Sequence, residues 1–302
     1  MKAAVHKKVG SITYREGKRS VFVNLLIIAL VAVLSGFAVG MILSSMMAGD
    51  DRYNFDSSGL YDNVVLIREE AEGKAPNEIS ATKACILAFD TTFNCSDVCV
   101  QGTGSVVSMG VTQKIKALTI RKGSQIFKEN VSVSSIVKAA DRFYQDGDSV
   151  KRVKGNVSGS TVSWNGSNSA MTSEEFKEMM GGYINEYMGY IVSSKTVKSE
   201  TEVTKNNEGY YEFTLILDYV KSVVNYVKSM KETGGLGDYP MFTQDIEIKL
   251  VIDSNYRIIS FTSNEKYKVK KGVWVEAKGT LTNTFTYDGN YSIPPVSENS
   301  SI

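Results

Sequence analysis

Three kinds of hydrophobic pattern divide this chain. From Val21 to Met47 the run VFVNLLIIALVAVLSGFAVGMILSSMM is almost wholly apolar. A bilayer core about 30 Å thick takes roughly 20 helical residues, so the run is long enough to span one. Around 77–93, 172–191 and 218–234, apolar residues recur every three or four positions, as on one face of a helix. After Val98 most other segments alternate apolar and polar residues, as strands with one covered face do.

The helical segments carry start and stop signals. Asn77 after Pro76 is the expected N-cap of the first, with Ile79, Ile86, Phe89 and Phe93 on its apolar side. Thr172 and Glu175 form a capping box for the second. Its stripe is Phe176, Met179, Met180, Tyr183, Ile184, Tyr187, Met188 and Ile191, with Gly181-Gly182 placed mid-helix on the polar side. The third is read from Asp218 to Gly234-Gly235, with Tyr219, Val220, Val223, Val224, Val227 and Met230 facing in. Val64–Ile67 fits either a strand or a helical turn.

The strand grammar is as regular. QKIKALTIRKG and SQIFKENVSVSS alternate, and FYQDGDSVKRVKG reads as a hairpin over Asp146-Gly147. Further turns are expected at Trp164–Ser167, Asn206–Gly209, Asp253–Asn255, Lys270–Gly272 and Asp288–Asn290. In DIEIKLVID the inward set is Ile246, Ile248, Leu250 and Ile252. In the last long strand it is Val273, Val275, Ala277, Gly279, Leu281, Asn283, Phe285 and Tyr287. The predicted class is α+β: a curved antiparallel half-barrel sheet covered by two or three amphipathic helices, preceded by one transmembrane helix.

Flanking charge sets the expected topology. Lys2, Lys7, Lys8, Arg15, Lys18 and Arg19 precede the apolar run against one acid, Glu16, whereas Asp50 and Asp51 follow it. Basic flanks stay cytoplasmic, so the N-terminus is expected inside and the bulk of the chain outside, on a single-pass cell-membrane protein. A cleaved signal peptide has a shorter apolar core and a small-x-small site, and here bulky Met46 occupies the −3 position of the one plausible cleavage point. The organisation expected is therefore a basic tail (1–20), a signal anchor (21–47), a connector (48–76), an extracytoplasmic domain (77–292) and a loose polar tail (293–302). Ala32, Gly36, Gly40 and Ser44 share one face of the span, a spacing that lets a second membrane helix, or a second copy, pack closely.

Composition narrows the chemistry. The 302 residues carry 34 basic and 33 acidic side chains, a net charge of +1, which offers no global field for nucleic acid. The single histidine, His6, lies in the N-terminal tail, so the exported part holds no Ser-His-Asp triad, Cys-His dyad or histidine-bearing zinc site. Glu174-Glu175 opens a helix and Asp146-Gly147-Asp148 makes a turn, so neither reads as a catalytic carboxylate pair. No enzyme activity, cofactor or metal is expected. Of Cys85, Cys95 and Cys99, the last two flank a turn and could form a short bridge, whereas Cys85 reads as a buried small hydrophobe. Six Asn-x-Ser sequons, at Asn94, Asn130, Asn156, Asn165, Asn290 and Asn299, matter only in a eukaryotic secretory pathway.

The helix near 77–93 leading into meander strands, the mid-chain helix near 172–191, and the closing strands with DIEIKLVIDSNYRIISFTSNEKY together resemble the LolA-like lipoprotein-carrier superfamily. That superfamily includes periplasmic lipoprotein carriers and lipid-binding lipoproteins of the LppX and LprG type. The resemblance covers about residues 77–290 and is one of architecture. It implies an unclosed half-barrel plugged by helices, a cavity that takes a lipid or lipoprotein acyl chain, and a bacterial envelope setting. No lipidated cysteine stands at the end of the span, unlike the anchored members, and no site residue carries over. On this reading Phe176, Met179, Met180, Tyr183, Ile184, Tyr187 and Met188 line an apolar cavity beneath a helical lid. The competing expectation is a scaffold subunit of an envelope complex, with a filled core.

Overall fold

A computed structural model describes residues 52–135, 137–186, 189–296 and 298–301. The span 21–47 with its small-residue face (Ala32, Gly36, Gly40, Ser44), the basic tail, and Tyr187 and Met188 lie outside the described residues. Among the described residues no helix is long and apolar enough to cross a bilayer.

The segment Val64–Ile67 resolves as the start of a helix, α1 (Val64–Glu70), because Asn63 accepts from the amides of Val65 and Leu66. The next helix, α2 (Ala81–Asn94), starts later than the expected Asn77. Pro76–Glu78 forms a single 3-10 turn, and Ser80, accepting from Lys83 N, is the actual cap. There follow β1 (Asp97–Ser108), β2 (Val111–Lys122), β3 (Gln125–Val133), β4 (Lys138–Asp146) and β5 (Ser149–Lys154), each paired antiparallel with the last. In the β4–β5 hairpin Asp146 pairs with Ser149, so the loop is Gly147-Asp148, one residue beyond the expected dipeptide, with Gly147 at φ +58°. After the small strands β6 (Asn156–Ser158), β7 (Thr161–Ser163) and β8 (Asn168–Thr172) comes α3 (Ser173–Met180).

Helix α3 holds its predicted capping box but has less than half its predicted length. Gly181 adopts φ +82° and ends it, since a left-handed residue cannot continue a right-handed helix. The described residues 181–186 and 189–196 form neither α-helix nor strand, and β9 (Val197–Glu200), β10 (Thr204–Lys205) and β11 (Tyr211–Leu217) follow. The third predicted helix is also shorter: turns occupy 219–225, and α4 covers Tyr226–Gly234 with Gly235 as its left-handed cap. The strands β12 (Met241–Phe242), β13 (Ile246–Ile252), β14 (Ile258–Lys271), β15 (Val273–Thr286) and β16 (Ser300–Ser301) complete the chain.

Thirteen of the described strands form one antiparallel sheet, ordered β10-β11-β13-β14-β15-β1-β2-β3-β4-β5-β8, with β9 on β11 and β12 on β14. Its ends do not pair, so it is an unclosed sheet with four helices, consistent with the α+β half-barrel expected. The predicted inward set of β13 is buried completely. The inner face of β11, β13 and β14 packs against Tyr190, Ile191, Val192, Val223, Val224 and Val227, which fill the space beneath the helices. Helix α3 seals the other wing, with Phe176, Met180 and Ile184 against Ile126, Phe143 and Val150.

The outer face is not uniformly wet. The segment expected as a loose tail is held against it: β16 pairs with β7, and Val296 joins a cluster with Val131, Val153 and Trp164. Arg142, 2% exposed, anchors it. Its Nε donates to Glu129 Oε2 at 2.7 Å, Nη1 to the carbonyls of Glu298 at 2.7 Å and Pro295 at 3.3 Å, and Nη2 to Ser300 Oγ at 2.7 Å. The guanidinium also stacks 4.2 Å from the Trp164 ring, whose Nε1 donates to Ser300 Oγ.

Candidate functional site

Helix α2 buries Ala81, Ala84, Cys85 and Ala88, the last three completely, letting it lie close on the sheet, and packs Leu87 against Ile67 and Ala71. The larger Ile86, Phe89 and Phe93, taken from the sequence as its apolar side, remain half-buried. They form one wall of an open cleft of about 910 Å³. The opposite walls are residues of the connector from Phe55 to Val64 and residues within 181–186 and 189–192, with Asn225 and Lys228 also lining it. A volume of this size is ordinary for a small-molecule site.

The connector is fixed by polar contacts, so this wall of the cleft is built. Asp62 accepts from Ser194 N at 2.6 Å and Ser194 Oγ at 2.7 Å, Lys195 Nζ donates to Gly59 O, and Asn225 Nδ2 donates to Tyr61 Oη at 3.0 Å. Burial raises the Tyr61 hydroxyl above its ordinary range. Across the cleft, Tyr183 donates to Glu174 and lies beneath Lys177, whose ammonium is 4.3 Å from the ring. Gly181 permits the approach of α3 to α4: a Cβ there would lie 2.1 Å from Asn225 O.

The cleft's charge is lopsided. Asp56, Asp62, Asp90, Glu174, Glu178 and Glu186 line it, against Lys177 and Lys228. Arg68, on α1, offsets Asp90 through an ion pair. Burial raises the Glu186 carboxyl, partly opposed by a hydrogen bond from Tyr183 N and by the charge of Lys128. Lys128 in turn is pushed down to about 8 by desolvation, with Glu186 acting the other way.

Tyr190 links the cleft to the interior. It lines the cleft with its ring and donates its hydroxyl to Glu265, a buried residue of β14. Ser263 Oγ at 3.3 Å and Tyr226 Oη at 3.5 Å complete the hydroxyls around that carboxylate. Burial holds the Glu265 carboxyl above its ordinary range despite these three donors. Burial also raises the Tyr190 and Tyr226 hydroxyls well above theirs, with the Glu265 charge adding to it.

The predicted lid residues divide accordingly. Tyr183 lines the cleft. Phe176, Met180 and Ile184 instead seal against the sheet, and Met179 packs beside them, its sulfur 3.7 Å from Arg152 Nη1. Among the described residues their common face meets the sheet at Ile126, Phe143 and Val150, and the cleft lies beside it. The cleft residues of α2 and the connector were missed. The signal available was the run of small residues Ala-x-x-Ala-Cys-x-x-Ala on α2 beside Ile86, Phe89 and Phe93.

The three cysteines are free thiols. Cys95 ends α2, while Cys99 points to the outer face with Ile120 and Phe127, so alternation along β1 turns it away from the helix. Cys85 is buried as expected, and burial raises its thiol well above the ordinary value. Among the described residues no group of three or more His, Cys, Asp or Glu side chains is placed to hold a metal.

No family model and no curated protein matches the sequence. Structural comparison finds a LolA superfamily protein from Nitrosomonas europaea, 8% identical, covering 72% of this chain and 96% of that one, with a TM-score of 0.27. It also finds an S-type phycobiliprotein lyase from Guillardia theta, 8% identical, covering 69% and 94%, at 0.24. A DUF1329 family protein from Desulfovibrio piger is 12% identical, covering 69% and 93%, at 0.23. The likeness to LolA-type proteins is one of architecture, and at these scores it assigns no activity.

Proposed function

We propose that the chain is a membrane-anchored, extracytoplasmic, non-enzymatic binding module that holds the apolar part of an amphiphile in the cleft. A lipid or lipoprotein acyl chain is the preferred ligand class. The observation that carries this reading is the cleft of about 910 Å³ with Ile86, Phe89 and Phe93 in its wall, large apolar residues left half-buried although the first two also touch the core. Burying a side chain of that size fully is worth about 1.5–3 kcal/mol, so leaving three of them facing a cleft forgoes stability that a ligand can recover. The excess of acids at the rim favours a cationic or uncharged polar end over an anionic one.

The test is to grow cells making the full chain with a photoactivatable fatty acid, irradiate, and map the attached peptides. Crosslinks in 86–93 and 183–192 support the module. Crosslinks confined to 21–47 remove it, and leave the second reading, an interaction subunit with a filled core. That alternative draws its support from the inner face of β11 and β13, where Leu215, Leu217, Ile248 and Leu250 are completely buried.

A further inference from the structure

One strongly charged face plays no part in the cleft. The β1–β2 and β14–β15 hairpins reach the same end of the sheet, where Val107 pairs with Lys278 and Ser108 Oγ donates to Glu276 O at 2.7 Å. Residues alternating with the buried set point outward there. They include Lys114 and Lys116 on β2, Lys278 on β15, and Lys266 and Lys268 on β14. Lys266 and Lys278 are direct cross-strand partners, an arrangement that like charge disfavours. The acid among these outward positions is Glu276, 3.3 Å from Lys266 Nζ.

The tip of the β1–β2 hairpin is apolar. Met109 is 80% exposed and Val107 47%. Met109 and Gly110 form the two-residue loop, with φ of +50° and +76°. Asparagine or glycine ordinarily takes the first of those positions. An unbranched apolar side chain held in a left-handed conformation and pointed into solvent suits contact with something apolar outside the protein.

A second observation concerns where the chain enters. Arg52, the first described residue, lies with its guanidinium 5.1 Å from the ring of Trp274, beside the tip of the β14–β15 hairpin. The apolar run ends at Met47, five positions earlier in the sequence.

We infer that this hairpin end docks on an anionic lipid surface, with Met109 and Val107 entering the headgroup layer and Lys266 and Lys268 of β14 and Lys278 of β15, which lie level with the tip, meeting lipid phosphates. Cationic side chains near such a surface gain from its negative potential, and a neighbouring apolar residue supplies the non-ionic part of the contact. The inference uses the anchor reading for reach, while the charge and the exposed tip stand without it. Docking by this end would hold the long strands of the sheet upright on the membrane.

The test is a depth measurement on the full chain. A Cys95→Ser background, in which Cys85 and Cys99 are buried, receives an environment-sensitive fluorophore at Met109→Cys or, at the opposite end of β2, at Ser124→Cys. Vesicles of phosphatidylcholine, with or without about a quarter phosphatidylglycerol, carry a quencher on a shallow acyl position. The expected result is quenching at 109 in the anionic vesicles, little in the neutral ones, and none at 124 in either. Reversal of Lys266, Lys268 and Lys278 to Glu should lower the docking equilibrium constant about fivefold or more per lysine near the surface. Added salt should release the unaltered protein in the same direction, which keeps the test independent of whether the reversed variant folds. Absent quenching at 109 in anionic vesicles, equal quenching in neutral ones, or equal quenching at 124 overturns the inference. Flotation with neutral vesicles reports the anchor separately, so the two failures are distinguishable.

Discussion

Replacing Arg142 with Met should destabilise the domain severely, and replacing its partner as well should rescue it. Arg142 and Glu129 are both buried, and the ion pair between them spans 2.7 Å. Removing the guanidinium leaves Glu129 with Ser300 Oγ at 2.8 Å as its remaining hydrogen-bond donor among the described contacts. An uncompensated buried charge costs about 3–5 kcal/mol. The carbonyls of Pro295 and Glu298 also lose their donor, but the tail can turn them to water, so they add less. Arg142→Met should therefore lose about 3–5 kcal/mol, a large part of the 5–15 kcal/mol that holds a typical domain together. In Arg142→Met/Glu129→Met no charge stays buried, and such apolar replacements are often neutral or stabilising. The assay is urea unfolding of the full chain in mild detergent, with proteolysis at the C-terminus reporting release of the tail. A double variant as unstable as the single one would refute the argument, because the loss would then lie in the lost tail contacts and not in the stranded carboxylate.

Glu265→Gln should become progressively more stable than the native protein as pH rises. The folded carboxyl titrates above its unfolded value, so its favourable contribution is complete below the unfolded value and disappears as pH climbs through the folded one. Thermal melts from about pH 4.5 to 8 check the sign, with Tyr190, Tyr226, Tyr267 and Ser263 the groups facing it; a gap that is flat or shrinks with pH removes the assignment. Gly181→Ala and Gly182→Ala should differ sharply although the residues are neighbours. The first meets a left-handed φ and the Asn225 carbonyl, which together exceed about 2 kcal/mol, whereas the second meets the movable end of Glu186. Hydrogen exchange across 173–180 should accelerate for the first alone, and equal effects would contradict the geometry.

What the sequence disclosed follows from how local each determinant is. The inward set of β13 was readable because alternation is the strand's own geometry, and the Thr172 capping box because its partners are three residues apart. The length of α3 was not. Tyr183 and Ile184 continue the helical spacing past Gly181, and Ile184 is buried, but it is buried from an irregular segment whose path depends on contact with α4. The tail appeared loose because it is polar, and what holds it are main-chain carbonyls meeting an arginine more than 150 positions earlier. The cleft was not legible for a related reason: its walls come from α2, the connector and residues after Gly181, which are far apart in the chain.

The strand order has a consequence for how the chain assembles. On one side of the sheet β1 to β5 pair in succession, and on the other β13 to β15 do the same, so each wing is joined by short hairpins. The two meet at a central seam where β1 pairs with β15, residues as much as 187 apart. Hairpins form in about 1–10 μs, whereas the seam must close a loop nearly the length of the domain. During synthesis β1 appears long before its partner, and an open edge invites pairing with other chains. Zipping of this seam is therefore the step that should set the folding rate, and a nick in 201–210, between the wings, should leave two fragments able to find each other.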